Sequence, residues 1–294
     1  MKFKSGFVTV IGRPNVGKST LLNKIIGEKI SIISDKAQTT RNKIKMIYTD
    51  DDSQIIFLDT PGVQMPKNAL GEYMLKVSKS TLEDVDLITM LVDAGEAFGK
   101  LDSYILDALK DLNTPKILLI NKIDIAEDDI SELVERYESL GIFKKIIPIS
   151  ALESTNLEKY IEEIKDILPE GPIYFPDDMI TDQPERSIIQ ELIREKVLLN
   201  MQDEIPHGIA VEVESIKKRE NRDLLDIHAV IYVEKKSHKP MVIGKGGKMI
   251  QRIGSESRND IERLMDTKVN LQLWVKISKD WRSKEERVKS FGYK

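Results

Sequence analysis

Short apolar runs alternate with helical patterns through the first half of the chain. The strand-like runs cover residues 7–11, 55–58, 86–92, 116–120 and 145–149. Such alternation predicts a mostly parallel β-sheet that is covered by helices. A further alternating run, at 44–48, is joined to the run at 55–58 by a short polar connection. Because so short a connection favours a hairpin, we predict that one edge strand of the sheet is antiparallel.

A dense group of prolines and glycines, at 169–184, follows the last helical pattern of the first half. These residue types stop a helix and are typical of a linker. We therefore predict a first domain at 1–172, a linker at 173–185 and a second, smaller domain at 186–294 that ends in a basic tail.

The second domain has its own order of patterns: helix, strand, strand, helix, helix, strand. An amphipathic helix at 188–199 precedes two alternating runs and a glycine-rich loop. The residues before this loop, Val242 and Ile243, are interpreted as a strand-like run. The helical pattern at 248–265 after the loop is predicted to be interrupted near Gly254. An apolar strand at 269–277 completes the domain.

Composition narrows the class of protein. The chain has 294 residues, of which 40% are hydrophobic and 32% charged, and it has no cysteine. These values indicate globular domains, exclude disulfides and thiolate metal sites, and fit a cytoplasmic protein. No apolar run approaches the roughly 20 residues of a membrane-spanning helix, and the N-terminus lacks the apolar core of a signal peptide.

Charge is distributed unevenly along the chain. The formal net charge is −4, yet the chain from Lys235 onward has 16 Lys and Arg against 7 Asp and Glu. A basic C-terminal part favours a polyanionic partner such as nucleic acid. A solvated charged face is the alternative that charge alone leaves open.

The segment at 12–19 matches the pattern G-x-x-x-x-G-K-[ST] between the first strand and a helix. Its residues are Gly12, Arg13, Pro14, Asn15, Val16, Gly17, Lys18 and Ser19, with Thr20 next. Small residues let backbone N–H groups converge on one point, and the helix N-terminus favours an anion there. We expect this loop to bind nucleotide phosphates, with Lys18 at the β- and γ-phosphates and Ser19 on Mg²⁺.

A second polar segment follows the strand at 55–58. It consists of Asp59, Thr60, Pro61 and Gly62. A carboxylate at a strand end can hold Mg²⁺, usually through water, and the N–H of Gly62 can meet a γ-phosphate. We therefore include this segment, with Val63, in the predicted nucleotide site.

Two further segments follow later strands and concern the base. Asp124 can accept hydrogen bonds from both N1–H and the 2-amino group of guanine, a donor pair that adenine lacks. Asn121 is expected to tie the loops together, and the Lys122 stem to cover the face of the ring. At Ser150 and Ala151, the backbone N–H of Ala151 is placed to meet the guanine O6.

In this order, at the carboxyl ends of strands, the segments predict a ligand at the edge of an open α/β sheet. The chain resembles the translation-factor class of P-loop GTPases. This resemblance implies a first switch at 38–42 in which Thr40 completes the coordination of Mg²⁺, although the adjacent Thr39 stays an alternative. The catalytic set that it implies is Lys18, Thr40, Asp59 and Gly62.

The chain differs from Ras-like GTPases at Val63, where many of those proteins have a glutamine that orients the attacking water. An apolar side chain cannot hold water, so we expect slow intrinsic hydrolysis. The G-x-P-N-x-G-K-S loop also resembles that of GTPases in which the matching asparagine helps to bind K⁺. Asn15 is therefore a candidate K⁺ ligand.

The glycine-rich loop of the second domain carries the pattern G-x-x-G. The segment contains Ile243, Gly244, Lys245, Gly246, Gly247, Lys248 and Ile250. Glycines let the backbone approach a phosphate chain, and the lysines supply countercharge. With its flanking elements the segment resembles a KH domain of the prokaryotic type II, which clamps four single-stranded nucleotides. Arg252, Arg258 and Lys268 are expected to extend this surface.

Several apolar residues of the second domain leave two interpretations open. Ile243, Ile250 and Ile253 can line the groove for bases or pack in the core. Trp274 can stack on a base, contact a membrane or pack within its strand. The three histidines have no ligand spacing, and we assign them no metal.

Taken together, the whole chain resembles the Era family of bacterial GTPases. The resemblance implies an α/β P-loop GTPase domain with a mixed, mostly parallel sheet, followed by an α+β KH domain of type II. It implies a GTP/GDP switch that binds the 3′ end of 16S ribosomal RNA and acts in assembly of the small ribosomal subunit. It further implies a monomer with peripheral contact to the inner face of the cell membrane. The alternative is a GTP-regulated RNA-binding protein without a ribosomal role.

Overall fold

The computed structural model describes residues 3–126, 129–220 and 222–293. Its contacts divide the chain into two compact units. The first unit holds Met1–Ser31, Thr40–Met65 and Met74–Asp182, and the second holds Ile32–Thr39, Pro66–Tyr73 and Gln183–Lys294. The main division, after Asp182, falls within the predicted linker. The grouping of the two short segments with the second unit is a feature that the sequence did not indicate.

A six-stranded sheet forms the centre of the first unit. Its strands are β1 (Lys4–Gly12), β2 (Ile44–Thr49), β3 (Ser53–Asp59), β4 (Leu87–Asp93), β5 (Lys116–Asn121) and β6 (Lys145–Pro148). Their order is β2-β3-β1-β4-β5-β6, with β2 antiparallel to β3 and the other neighbours parallel. The mixed, mostly parallel sheet with an antiparallel edge strand is therefore confirmed.

Five helices accompany this sheet among the described residues, and α2 is divided between the units. They are α1 (Lys18–Ile26), α2 (Ala69–Ser80), α3 (Lys100–Leu109), α4 (Ser131–Glu138) and α5 (Leu157–Ile167). Along β5, Ile117 and Leu119 pack in one apolar core, whereas Leu118 and Ile120 pack in the other. Because successive strand residues face opposite sides, the sheet is buried on both faces.

The second unit contains a three-stranded sheet and helices. Its elements are α6 (Glu185–Asn200), β7 (Ala210–Lys218), β8 (Leu224–Val233), α7 (His238–Ile243), α8 (Lys248–Met265), β9 (Lys268–Ile277) and α9 (Glu285–Ser290). Strand β8 is antiparallel to β7 and parallel to β9. The order helix, strand, strand, helix, helix, strand is found, but its two consecutive helices are α7 before the glycine-rich loop and α8 after it. Helix α9 is an addition after this order.

Two local predictions in this unit are wrong. Val242 and Ile243 lie in α7 rather than in a strand, because Val242 is fully buried in the core and packing overrides β-branched propensity. Helix α8 runs through Gly254 without a break. Burial of Ile253 and Ile261 on the same helix outweighs the roughly 1 kcal/mol that a glycine costs in a helix interior.

None of the helices found in residues 3–126, 129–220 and 222–293 combines the length and apolar character that crossing a bilayer requires.

Candidate nucleotide site and nucleic-acid surface

The predicted nucleotide segments of the first unit begin where parallel strands end. The phosphate loop begins at Gly12, the last residue of β1. The other two segments begin at Asp59 and Asn121, the last residues of β3 and β5. Val10 of β1 lies opposite Asp59 in the register of β1 and β3. Carboxyl ends of parallel strands share one edge of a sheet, which is where open α/β sheets bind ligands.

Lys18 is the first residue of α1, and its side chain is almost fully buried. Its Nζ donates to the carbonyl oxygens of Gly12, at 3.2 Å, and Arg13, at 2.9 Å. Burial lowers the pKa of Lys18 to about 8, while the nearby carboxylate of Asp59 acts in the opposite direction. An anion bound beside this ammonium group would stabilise its charged form.

Three oxygen-bearing side chains converge next to Lys18. The Oγ of Ser19 lies 3.0 Å from Oγ1 of Thr40 and donates to Oδ2 of Asp59 at 2.8 Å. The Thr39 hydroxyl instead donates to the carbonyl of Lys36 at 2.6 Å. Of the two threonines between which the sequence could not choose, the structure brings Thr40 to Ser19.

Asp59 is fully buried, and burial raises the pKa of its carboxyl group. Its Oδ1 has no hydrogen-bond partner within the part of the chain that the structure describes. A buried carboxylate oxygen and two nearby hydroxyl oxygens form a set of oxygen ligands of the kind that Mg²⁺ prefers. The residues present therefore fit a magnesium ion held by Ser19, Thr40 and Asp59.

Sequence reasoning missed two residues next to this cluster, Ser31 and Asn23. The Ser31 hydroxyl donates to Oδ2 of Asp59 at 2.7 Å. Asn23 of α1 holds the backbone of Ser31 from both sides: its Oδ1 accepts from the Ser31 N–H at 3.0 Å, and its Nδ2 donates to the Ser31 carbonyl at 2.6 Å. The available signal was a polar residue on the buried face of α1, one turn after Ser19.

Two glycines let the loops of the site contact one another. Gly17 has φ +102°, and a Cβ there would lie 2.2 Å from Nδ2 of Asn121. A Cβ on Gly62 would lie 2.7 Å from the Cα of Pro14. Any side chain at these positions would push the phosphate loop away from its neighbours.

Asn121 connects the phosphate loop to the base-recognition loops. Its Nδ2 donates to the carbonyl of Val16 at 2.8 Å, and its Oδ1 accepts the N–H of Ala151 at 2.9 Å. The tie between loops that we expected of Asn121 is present in the structure. The N–H of Ala151 is donated to this asparagine, so its contact with guanine O6 stays a prediction. Ser150 is buried, and its Oγ accepts the N–H of Glu153.

Lys122 and Asp124 differ in their surroundings. Lys122 has φ +69°, and its Nζ lies 2.5 Å from Oδ2 of Asp93 at the end of β4. Asp93 is a further residue that the sequence did not single out, and its carboxylate fixes the Lys122 stem. Asp124 is exposed, so its carboxylate is accessible to a base.

Three predicted site residues have side chains that bond to or pack against other parts of the protein. Arg13 pairs with Glu96, at 2.9 Å, and with the buried Asp102, at 3.2 Å. The hydroxyl of Thr60 donates to the carbonyl of Val10. The side chain of Val63 is buried in an apolar core. Only the backbones of these residues are placed to take part in a phosphate site.

The remaining predicted residues of the loops are Pro14, Asn15, Val16, Thr20 and Pro61. Val16 and Pro61 are buried, and the Pro61 carbonyl accepts the hydroxyl of Ser78. Asn15 is exposed with φ +66°, a backbone conformation that asparagine tolerates better than most residues.

The glycine-rich loop of the second unit is open to solvent. Gly244, Gly246 and Gly247 all have positive φ, and Lys245 and Lys248 are exposed. Arg252, one turn into α8, is exposed and its Nε lies 2.8 Å from Oε1 of Glu256. Backbone and cations of this loop are therefore accessible to a phosphate chain.

A groove of about 300 Å³ runs beside this loop between α8 and β9. It is lined by Ile250, Gln251, Gly254, Ser255, Arg258, Leu271 and Leu273. Sequence reasoning missed the contribution of β9. Of the three isoleucines that it left undecided, Ile253 lies in the core, whereas Ile243 and Ile250 pack against it. Ile250 also lines the groove. Trp274 lies in β9, is 43% exposed and contacts His228 edge to face.

Comparison with known proteins agrees with this geometry. A family described as 50S ribosome-binding GTPase matches residues 7–122, and the KH domain family matches residues 204–282. The GTPase Era of Alkaliphilus metalliredigens is 56% identical over 294 residues, which is 100% of both chains. The GTPase Era of Clostridioides difficile is 52% identical over 293 residues and 99% of both chains.

Two solved structures of Era proteins also match this chain over nearly its whole length. A crystal structure of Era in complex with MgGDPNP and nucleotides 1506–1542 of 16S ribosomal RNA matches with a TM-score of 0.96 and 41% identity, over 99% of each chain. A variant of Aquifex aeolicus Era bound to GDP·AlF4⁻ matches with the same TM-score, identity and coverage.

Proposed function

Because this chain belongs to the Era family of GTPases, we propose that it is a GTP-hydrolysing switch that binds the 3′ end of 16S ribosomal RNA. It acts in assembly of the small ribosomal subunit. The observation that carries the proposal is the convergence of Ser19, Thr40 and Asp59 beside Lys18 at the carboxyl edge of the sheet. The complex of a relative with MgGDPNP and 16S rRNA supports the choice of both ligands.

The chain's own residues would act mainly by position and charge. Lys18 exchanges its two carbonyl acceptors for the β- and γ-phosphates, which compensates the burial of its charge. Ser19, Thr40 and Asp59 would hold Mg²⁺, which neutralises charge on the phosphates when bound. The N–H of Gly62 donates to the γ-phosphate and orients it, and the carboxylate of Asp124 selects guanine. Asn121 supports these groups through its side-chain amide, which joins the loops at Val16 and Ala151. Arg13, Thr60 and Val63 support them through their backbones.

Intrinsic turnover of this site is proposed to be slow. The side chain of Val63 is buried in the core, and its N–H donates to the Gly12 carbonyl at 3.0 Å, so this residue does not present a group to water. K⁺ bound through Asn15 is proposed to add positive charge beside the phosphates. Replacing K⁺ by Na⁺ in a GTPase assay checks this step, and equal rates would exclude it.

The RNA-binding role is supported by the exposed glycine-rich loop and the groove next to it. The backbone at Gly244–Gly247 approaches the phosphates, while Lys245, Lys248 and Arg252 supply countercharge. Ile250 and the β9 side chains of the groove, Leu271 and Leu273, offer apolar contact to unstacked bases.

Competition of mant-GDP by GTP and by ATP tests the nucleotide assignment. We expect GTP to compete in the presence of Mg²⁺ and ATP to fail at a hundredfold excess, because adenine lacks the donor pair for Asp124. Equal competition by ATP would overturn the guanine assignment. Phosphate release in the same buffer measures hydrolysis.

Titration with two single-stranded RNAs tests the ribosomal assignment. One has the sequence of the 3′ end of the organism's 16S rRNA and the other has the same composition in scrambled order. We expect tighter binding of the first. Equal binding of both would favour the alternative, a GTP-regulated RNA-binding protein without a ribosomal role.

A monomeric state and peripheral membrane contact are further proposals that rest on the family resemblance. Sedimentation velocity checks the first, and co-sedimentation with anionic vesicles checks the second.

A further inference from the structure

We propose that Ser31 is a positioning residue for the magnesium centre, and that Asn23 holds it in place. This inference rests on the proposed binding of Mg²⁺ and GTP. Ser31 belongs to none of the sequence motifs, and its hydroxyl is joined to the site by a hydrogen bond to Asp59.

The first argument is the geometry of the Asp59 carboxylate. Its Oδ2 accepts two hydroxyl donors, Ser19 at 2.8 Å and Ser31 at 2.7 Å. Two donors on one oxygen fix the rotation of the carboxylate, so that Oδ1 keeps one direction. Oδ1 is the oxygen without a hydrogen-bond partner in the described residues. The Ser31 hydroxyl therefore orients the oxygen that remains for a metal-bound water.

The second argument is that Ser31 is itself held rigidly. Asn23 Oδ1 accepts the N–H groups of Ile30 and Ser31, each at 3.0 Å, and its Nδ2 donates to the Ser31 carbonyl at 2.6 Å. Ser31 is fully buried, and Asn23 is nearly so. A buried amide with all three of these bonds made is costly to move.

The third argument is the position of Asn23 on α1. Ser19 and Asn23 are four residues apart and thus lie on the same face of the helix. One helix therefore supplies a magnesium ligand and, a turn later, the side chain that locates Ser31. The positions of Ser19, Asp59 and Ser31 are tied to one rigid element.

The fourth argument concerns the stretch of chain between Ser31 and Thr40, which leads into the predicted first switch. Ser31 directly precedes residues 32–39, and Thr40 directly follows them. Ser31 contacts Asp59, and Thr40 contacts Ser19. Both ends of the segment are thus joined to the same pair of metal-site residues.

The test is the Mg²⁺ concentration that half-maximally slows dissociation of mant-GDP, measured in the full chain. Removal of a residue that orients a metal ligand typically costs tenfold or more in metal affinity. We expect Ser31→Ala to raise this concentration about tenfold, while dissociation in excess EDTA keeps the wild-type rate. Ser31→Thr retains the hydroxyl and should restore the wild-type requirement.

Ser5→Ala is the matched control, because Ser5 is also buried and its hydroxyl donates to the carbonyl of Pro172 at 2.7 Å, away from the site. It should leave the Mg²⁺ requirement unchanged. If Ser31→Ala does not fold, Ser31→Cys keeps the volume with a weaker donor and should give a smaller shift in the same direction.

An unchanged Mg²⁺ requirement in Ser31→Ala, or an equal shift in Ser5→Ala, would overturn the inference. A shift in Ser31→Thr as large as that in Ser31→Ala would do the same, because it would point to packing rather than to the hydroxyl. If the wild-type protein itself shows no Mg²⁺-dependent retention of mant-GDP, the proposed function fails, and that result is distinct from the outcomes above.

Discussion

The two glycine-containing loops of this protein carry their cations in opposite environments. Lys18 of the phosphate loop is almost fully buried and donates to backbone carbonyls. Lys245 and Lys248 of the second loop are exposed. A buried cation requires a precise partner, because unpaired burial is costly, whereas an exposed cation attracts any phosphate chain through long-range charge. The first loop is built to enclose one ligand, and the second presents a surface to a polymer.

Glycine has a different purpose in each loop. At Gly17 a side chain would collide with Asn121, whereas a Cβ on Gly246 or Gly247 meets nothing within 4 Å. Packing against neighbours requires glycine in the first loop. In the second loop packing requires glycine only at Gly244, where a Cβ would lie 2.6 Å from the Cβ of Met249. At Gly246 and Gly247 the positive φ values favour glycine, and the space above the backbone is available to a partner.

The largest effect should come from removing the enclosed cation. Lys18→Ala leaves the phosphates without their buried countercharge, so we expect GTP affinity to fall about a thousandfold, or about 4 kcal/mol. RNA affinity in the absence of nucleotide should stay at the wild-type value. Mant-nucleotide titration and RNA titration of both proteins measure the two quantities. If Lys18→Ala bound GTP with wild-type affinity, the buried lysine would not be what holds the phosphates, and the contrast between the two loops would fail.

The buried ammonium group also predicts a pH dependence of stability. Burial lowers the pKa of Lys18 from its ordinary value of 10.5 to about 8. Between these values the unfolded chain binds the proton that the folded chain has released, so stability rises with pH. The nucleotide-free wild type should therefore gain about 3 kcal/mol relative to Lys18→Met between pH 8 and pH 10.5, and the difference should be constant below pH 8.

Urea unfolding of both proteins across this pH range measures that gain. Other groups titrate in the same range, and comparison with Lys18→Met cancels their contributions. Parallel curves of unfolding free energy against pH for the two proteins would show that folding does not lower the pKa of Lys18.

A matched pair of glycine substitutions sharpens the comparison. Gly17→Ala places a Cβ 2.2 Å from Nδ2 of Asn121, which is fixed by its bonds to Val16 and Ala151. We expect a loss of about 3 kcal/mol in the free energy of unfolding and loss of GTP binding. Gly246→Ala pays only for its φ of +61°, about 1 kcal/mol. Thermal and urea unfolding measure both losses. An equal loss of stability in Gly17→Ala and Gly246→Ala would contradict this account.

The smallest effect should come from the exposed cations. Lys245→Ala and Lys248→Ala should each weaken binding of single-stranded RNA by about 1 kcal/mol and reduce the salt slope by about 0.7. The free energy of unfolding should not change, because both side chains are exposed. Lys110→Ala, an exposed lysine of the first unit, is the control. A salt slope that stays constant in both variants would exclude phosphate contact by this loop.

Patterns confined to a few consecutive residues predicted much of the fold. The alternation of apolar residues indicated the mostly parallel sheet, and the short connection before Ser53 indicated the antiparallel edge strand. Helix α1 begins at Lys18, where the phosphate-loop pattern implied it. Propensity failed at Val242 and at Gly254, where burial against distant residues decided the local conformation.

The order and spacing of the motifs determined which chemical groups stand at the carboxyl edge of the sheet: an ammonium group, hydroxyls and carboxylates. Only the tertiary structure decided which of them meet. It brought Thr40 rather than Thr39 to Ser19, and it added Ser31 and Asp93 to the groups that hold the motif residues. The physical reason is that a hydrogen bond depends on a separation of about 3 Å between atoms. For residues far apart in the chain, that separation is set by the packing of the whole unit and not by local pattern.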